Sequence, residues 1–213
     1  MNFKQEMFRT LTSVLVSITL ISSILTKTQN EKQTIVFFGD SITAGYGIAT
    51  ENAFPALIDQ KLQSEGLNYT AVNAGLSGET SMGGLNRIDW VLRSKPAILM
   101  LELGGNDGLR GLSLEETEKN LKAIIDKVRA ANADTKIILA GMQIPPNLGQ
   151  DYTTQFKNLF PKVAEDKGVA FIPFLLENVG GDKNLNLSDG IHPNEEGHKI
   201  VVETVWEALK PLL

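Results

Sequence analysis

From Thr34 onward this chain of 213 residues alternates short apolar runs with segments of helical periodicity, and that alternation leaves few folds open. The runs Thr34–Phe38, Tyr69–Asn73, Ala97–Leu103, Thr135–Gly141 and Val169–Ile172 have strand length. Most are continuous rather than alternating, as strands covered on both faces require. Between them lie apolar stripes with helical spacing. Phe54, Leu57, Ile58 and Leu62 form one, and Leu121, Ile124, Ile125 and Val128 a second that opens with the capping box Ser113-Leu-Glu-Glu116. Tyr152, Phe156, Leu159, Phe160 and Val163 make a third, and Ile200, Val201, Thr204, Val205 and Leu209 a fourth. Strands alternating with helices predict an α/β fold: a three-layer α/β/α sandwich around a five-stranded parallel sheet. No repeat, low-complexity tract or linker divides it, so residues 30–213 read as a single domain.

The first 29 residues are different. Lys4 and Arg9 precede an apolar stretch from Leu11 to Leu25, broken only by Ser and Thr. That is the length of a signal-peptide core and short of a spanning helix, so no stable membrane span is expected. The polar residues that follow offer no small-x-small cleavage site. Two readings stand, a signal peptide that is removed or an N-terminal anchor that stays, and both imply export to a periplasmic or secreted location. The chain has no cysteine, which excludes a lipid-modified cysteine, disulfides, thiolate metal sites and a cysteine nucleophile. A net charge of −5 without clustered Lys and Arg argues against a nucleic-acid partner.

Three segments far apart in sequence carry reactive groups: Gly39-Asp40-Ser41, Gly104-Gly-Asn106-Asp107 and Asp189-Gly-Ile-His192-Pro193. All lie beyond the carboxyl ends of predicted strands or in the loop before the last helix, where open α/β sheets bind ligands. A serine hydroxyl needs a neighbouring base to become a nucleophile. Ser41, just past the first strand, is the candidate nucleophile, although this segment taken by itself fits better as a helix cap formed by Asp40 and Ser41. Gly39-Asp-Ser-Ile-Thr43 is neither a G-x-S-x-G elbow nor a phosphate-binding loop. The chain has two histidines. His192 has Asp189 three residues before it, a spacing that holds a carboxylate against one ring nitrogen and fixes the tautomer; an ordinary turn with a capping histidine is the competing reading. His198, beside Lys199 in the final helix, reads as a solvated surface residue. A metal site built from His192, His198 and Asp189 lacks any familiar ligand spacing. Asn106, Gly78 and the backbone of Ser41 are candidate donors to an oxyanion. Leu109, Leu112, Ile144, Leu148 and Ile191 are candidates for an apolar substrate wall, or for loop residues that merely pack on the domain.

Gly39-Asp-Ser-Ile42, Asn73-Ala-Gly-Leu-Ser-Gly78, Gly104-Gly-Asn-Asp107 and Asp189-Gly-Ile-His192-Pro193 together resemble the four blocks of the GDSL, or SGNH, hydrolases. The resemblance runs from about Ile35 to the C-terminus. It is strongest to the bacterial exported thioesterase–lysophospholipase–arylesterase branch, through Glu102-Leu-Gly-Gly-Asn-Asp-Gly-Leu-Arg-Gly111 and Ser77-Gly-Glu-Thr80. Ile42 replaces the leucine of the family name. The resemblance implies a flavodoxin-like SGNH hydrolase fold and a Ser41, His192, Asp189 triad. It also implies an oxyanion hole of Ser41, Gly78 and Asn106, a small-molecule ester or thioester substrate, and no cofactor or metal. In that branch the loop Gly108–Leu112 covers the acyl chain and the loop Pro145–Gly149 lines its groove. Acyl transfer to an alcohol, sugar deacetylation and a catalytically silent lipid- or glycan-binding module remain the competing readings.

Overall fold

The computed structural model describes residues 32–213, so the leader reading of residues 1–29 lies outside the described residues. Five parallel strands, β1 (Gln33–Gly39), β2 (Tyr69–Gly75), β3 (Ile98–Glu102), β4 (Lys136–Ala140) and β5 (Ala170–Ile172), form a sheet in the order β2-β1-β3-β4-β5. The interior strands β1, β3 and β4 are the continuous apolar runs, and Ile35–Phe38 and Ile98–Leu101 are buried throughout. β2 departs from the expectation of cover on both faces. It is an edge strand, and Val72 and Asn73 are exposed. Strand order is a tertiary property, so the apolar run alone did not reveal which strand would lie at the edge.

Among the described residues, seven α-helices accompany the strands: α1 (Ser41–Ala44), α2 (Phe54–Ser64), α3 (Ser81–Val91), α4 (Gly105–Leu109), α5 (Leu114–Ala131), α6 (Gln150–Lys167) and α7 (Glu195–Leu209). α2 packs beside α7, while α3, α5 and α6 pack in a row. The chain steps from β1 outward to β2, then crosses back over β1 to β3 and continues through β4 to β5. Right-handed crossovers therefore put α2 on one face and α3, α5 and α6 on the other. The direction reverses between β1 and β3. That switch point opens a crevice at the carboxyl ends of these two strands.

α3 has no counterpart among the apolar stripes, because Gly83 and Gly84 interrupt its pattern with poor helix formers. Thr80 caps it by accepting from the Gly83 N–H at 3.2 Å. Gly84 is required for contact: a Cβ there would run into the Leu103 side chain and press the Phe38 ring at 3.4 Å. The helix forms because tertiary packing outweighs its weak propensity.

His198 corrects the reading of a solvated surface residue. It is 1% exposed, stacks on Phe54 with ring centroids 6.1 Å apart, and accepts from the Phe54 N–H through Nδ1 at 3.1 Å. Neighbouring Lys199 is exposed, so the two residues straddle the boundary of the α7 apolar face. Burial, with a smaller effect from His192, lowers the His198 pKa from 6.5 to about 4. The folded state therefore prefers neutral imidazole. The associated stability is complete above about pH 6.5 and is lost as pH falls through about 4. His198→Ala, which orphans the buried Phe54 N–H, should cost about 1–3 kcal/mol. His198→Asn supplies an acceptor without a titratable ring and should flatten the loss of stability between pH 6.5 and 4, as read by thermal unfolding.

Candidate active site

The floor of the crevice is a row of three residues at the same level of the sheet, with Gly39 of β1 paired to Gly75 of β2 and to Glu102 of β3. Side chains are excluded from the two glycines. A Cβ at Gly39 would run into the Thr43 hydroxyl and the Glu102 carboxyl, and one at Gly75 into the backbone of Ala44 and Asp40. The chain can therefore turn from β1 directly into α1. Asp40 caps α1, accepting from the Ile42 N–H at 3.1 Å, and Gly45 ends it in the left-handed conformation. Asn73 of β2 braces the same turn by donating to the Thr43 carbonyl at 2.8 Å. The capping reading and the reactive reading of Asp40-Ser41 are thus compatible: the cap holds Ser41 at the first position of α1.

Ser41 faces His192. Its Oγ lies 2.8 Å from His192 Nε2, and His192 Nδ1 lies 2.7 Å from Asp189 Oδ2. The loop carrying the last two residues is largely self-organised. Asp189 Oδ1 accepts from the Ile191 N–H at 2.9 Å and the His192 N–H at 3.0 Å, and Gly190 supplies a positive φ of 70°. The His192 carbonyl accepts from the Leu187 N–H at 2.7 Å, and Asn186 bridges Pro193, closing the loop at its base. Partial burial pushes the Asp189 carboxyl up. The Ile191 and His192 backbone donors and the imidazole outweigh this and hold it at about 2, so Asp189 is ionised throughout the neutral range. The Tyr46 ring sits 4.7 Å from the imidazole and is half exposed.

Asn106 opens α4 beyond β3. Its Nδ2 donates to Asp40 Oδ2 at 3.1 Å and to the Glu79 carbonyl at 3.1 Å. Its Oδ1 accepts from Arg110 at 3.4 Å, and Arg110 also donates to the Gly78 carbonyl at 3.0 Å. These contacts bring the Gly78–Glu79 turn against Asn106 at the switch point. Neither the Ser41 N–H nor the Gly78 N–H has a backbone acceptor among the described residues. Asp107 underpins the arrangement from below: it is 3% exposed and accepts from the Ser81 N–H at 2.8 Å, the Ser81 hydroxyl at 2.5 Å and the Thr117 hydroxyl at 3.2 Å. One carboxylate thereby ties the starts of α3, α4 and α5 together.

A cavity of about 490 Å³ opens beside these groups. Ser41, Asn106 and His192 line it, with Leu109, Ile144 and Ile191 from the expected apolar wall. Leu112 and Leu148 do not line it. Gly111, at φ 64°, turns the chain away, the Leu112 carbonyl is held by the Tyr152 hydroxyl at 2.8 Å, and both leucines stay on the outer surface. Pro145, from the loop expected to line the groove, is also in the lining, whereas Met142, Phe174, Leu176, Gly180 and Gly181 line it without having been singled out from sequence. Their signal is faint, an apolar Phe174-Leu-Leu176 run past β5 and a glycine pair in a long loop.

Sequence reasoning also missed the carboxyl pair Asp40 and Glu102, 2% and 1% exposed. Glu102 Oε2 accepts from the Asp40 N–H at 3.2 Å and the Thr43 hydroxyl at 2.7 Å, whereas Oε1 is buried without a partner. Burial pushes Glu102 well above the usual carboxylate range, and the like charge of Asp40 adds to it. Burial likewise raises Asp40 from 3.8 to about 6 against the opposing Ile42 N–H, His192 and Asn106.

Among the described residues no cluster of three or more His, Asp and Glu is arranged to hold a metal, and no helix is long and apolar enough to cross a membrane. A five-stranded parallel sandwich with these groups at its switch point has the architecture of an acyl hydrolase. The chain belongs to the GDSL-like Lipase/Acylhydrolase family, whose model matches residues 37–200. It is 42% identical over 194 residues to Esterase TesA of Pseudomonas aeruginosa, covering 91% of this chain and 96% of that protein. To the Thioesterase 1/protease 1/lysophospholipase L1 of Escherichia coli K12 it is 38% identical over 181 residues, covering 84% and 85%. The crystal structure of the psychrotrophic esterase EstA from Pseudoalteromonas sp., inhibited by monoethylphosphonate, matches with a TM-score of 0.80 at 32% identity, covering 84% of this chain and 98% of that one. The fold is that of the SGNH hydrolases, and the protein is a carboxylic ester hydrolase.

The raised carboxyl pair has a stability signature. A carboxyl group raised on folding contributes stability that is complete below its unfolded value and lost as pH rises through its folded value, for Asp40 between about 3.8 and about 6. Glu102→Gln keeps an oxygen for the Asp40 N–H and the Thr43 hydroxyl but removes the like charge. Its stability relative to the unsubstituted protein should therefore climb as pH rises from 4 to 8 in thermal unfolding. A difference independent of pH would mean that the pair does not titrate in this way.

Proposed function

We propose that the protein is an exported serine esterase that hydrolyses esters and thioesters of apolar acyl groups through a covalent acyl-enzyme. The observation that carries this reading is the line Ser41 Oγ, His192 and Asp189, with spacings of 2.8 and 2.7 Å. His192 Nε2 takes the Ser41 proton as Oγ attacks the carbonyl carbon, and ionised Asp189 stabilises the imidazolium that forms. The former carbonyl oxygen, now negative, is held by the Ser41 N–H, the Gly78 N–H and Asn106. Collapse of the intermediate breaks the bond to the leaving oxygen or sulfur, which departs with the proton from His192. Water then enters, His192 takes its proton, and attack on the acyl-enzyme releases the carboxylic acid and restores the Ser41 hydroxyl. No step calls for a metal or an organic cofactor.

Leu109, Ile144 and Ile191 in the cavity lining support an apolar acyl group as the part of the substrate that is buried. The names of the relatives, esterase, thioesterase and lysophospholipase, support a range of leaving groups on one acyl site. The basic and apolar leader of residues 1–29 supports export.

Hydrolysis of p-nitrophenyl esters tests the mechanism. Ser41→Ala or His192→Ala should lower kcat by about 10⁴–10⁶, and retained turnover in either would sink the assignment. Asn106→Ala should cost about 10²–10³ in kcat, about 3–4 kcal/mol for one lost oxyanion donor. An alkylphosphonate ester with a p-nitrophenolate leaving group should phosphonylate Ser41, releasing p-nitrophenol and adding the mass of the phosphonyl group less one hydrogen to the peptide containing Ser41. It should leave the Ser41→Ala variant unmodified; EstA is inhibited by monoethylphosphonate.

A further inference from the structure

One side chain in the lining of the catalytic cavity also lines a second cavity. A second cavity of about 520 Å³ lies between β5, the loop after it and α7, lined by Phe171 and Ile172 on one side and by Ile200 and Ala208 on the other. Phe174 is the one residue that lines both cavities. It is half-buried, and its ring reaches the wall of the catalytic cavity at Gly180, where a Cβ would lie 3.1 Å from Cζ and 3.5 Å from Cε1. Gly180 does not have a positive φ, so its backbone does not call for glycine. What the missing side chain allows is the approach of the Phe174 ring. Gly181 beside it likewise adds no side chain to the cavity lining.

We infer that Phe174 is the end wall of the acyl site and sets the longest acyl chain that the enzyme hydrolyses efficiently. This inference rests on the reading that the Ser41 cavity holds the acyl group. An acyl chain entering beside Ser41 extends past Leu109, Ile144 and Met142 until it meets the ring. Beyond that length its terminal methylenes have no apolar surface to contact and must fold back or stay in water. Each methylene that gains a buried apolar environment is worth about fourfold in kcat/KM. On this inference, removing the ring opens to the chain an outer cavity of about 520 Å³, similar to the roughly 490 Å³ of the inner one. The outer floor of Phe171, Ile200 and Ala208 is apolar, whereas its rim carries Glu177, Glu203 and Glu207. That composition accepts an acyl tail and repels an acidic one.

The test is the chain-length profile of kcat/KM on p-nitrophenyl esters from acetyl to palmitoyl, with the full chain. The unsubstituted protein should show a fall beyond the length that reaches the ring. In Phe174→Ala the fall should move to longer esters, raising the long-to-short ratio of kcat/KM at least tenfold, with the gain in KM. Phe174→Leu, which keeps a core-compatible side chain, should move it in the same direction by less and serves if the alanine variant is poorly folded. Ala208→Phe fills the outer cavity from α7, and added to Phe174→Ala it should cancel the gain. Profiles of unchanged shape in both Phe174 variants, or a gain that survives Ala208→Phe, would overturn the inference. If activity proved independent of Ser41, the underlying reading would fail instead, and the Ser41→Ala control separates the two outcomes.

Discussion

The site depends on a buried junction between the ends of β1 and β3. Glu102 is the last residue of β3, and its carboxyl accepts from the Asp40 N–H, at the turn that leaves β1, and from the Thr43 hydroxyl in α1. Two strands adjacent in the sheet but about sixty residues apart in sequence are thereby locked where the chain changes direction. The junction is electrostatically uncomfortable: two carboxyls are out of water, and one Glu102 oxygen has no partner. Ionising both is disfavoured: burial pushes both carboxyls upward, and the charge of Asp40 adds to the rise of Glu102. Such an arrangement opposes stability and persists where its geometry serves another purpose. Here Asp40 faces both partners of the crevice, capping the helix that begins with Ser41 and accepting from the amide of Asn106.

The sequence was legible where chemistry is local or rare. Asp189 and His192 could be paired on paper because a three-residue turn with Gly190 fixes their contact whatever the rest of the fold does. Ser41 followed from its place after a strand, and only two histidines were available as a base. Five strands and their parallel order of use could be read from runs and stripes, whereas the position of β2 at the edge could not. α3 was hidden because Gly83 and Gly84 serve packing rather than propensity. His198 and Glu102 were hidden for a related reason. Whether a polar residue is buried depends on which partner arrives from elsewhere, here the Phe54 N–H and the Asp40 turn.

Loops were the least legible part. The segment from Pro173 to Asn194 runs between β5 and α7 without a regular element, and it supplies Phe174, Leu176, Gly180 and Gly181 to the cavity as well as the Asp189–His192 turn. Its two halves differ in how they are held. The turn is fixed by its own hydrogen bonds, so its geometry is written in adjacent residues. The cavity wall is fixed by one aromatic ring meeting one glycine six positions later, a contact that leaves no periodic trace.

The same contrast explains how the proposed oxyanion donor is prepared. Both N–H groups of Asn106 are engaged in the resting protein, one with Asp40 Oδ2 and one with the Glu79 carbonyl, and its oxygen is held by Arg110. The amide has no freedom to rotate: a flip would set its oxygen against two acceptors and its NH₂ against a guanidinium. Glu79 is itself anchored by Arg87 at 2.9 and 2.5 Å, so the acceptor does not drift either. A developing oxyanion therefore meets a donor whose direction is already set and need only share a bond with a neutral carbonyl, a weaker acceptor than itself. The cost of orienting the amide is met on folding rather than during reaction, which is the condition under which a neutral side chain can contribute several kcal/mol to catalysis.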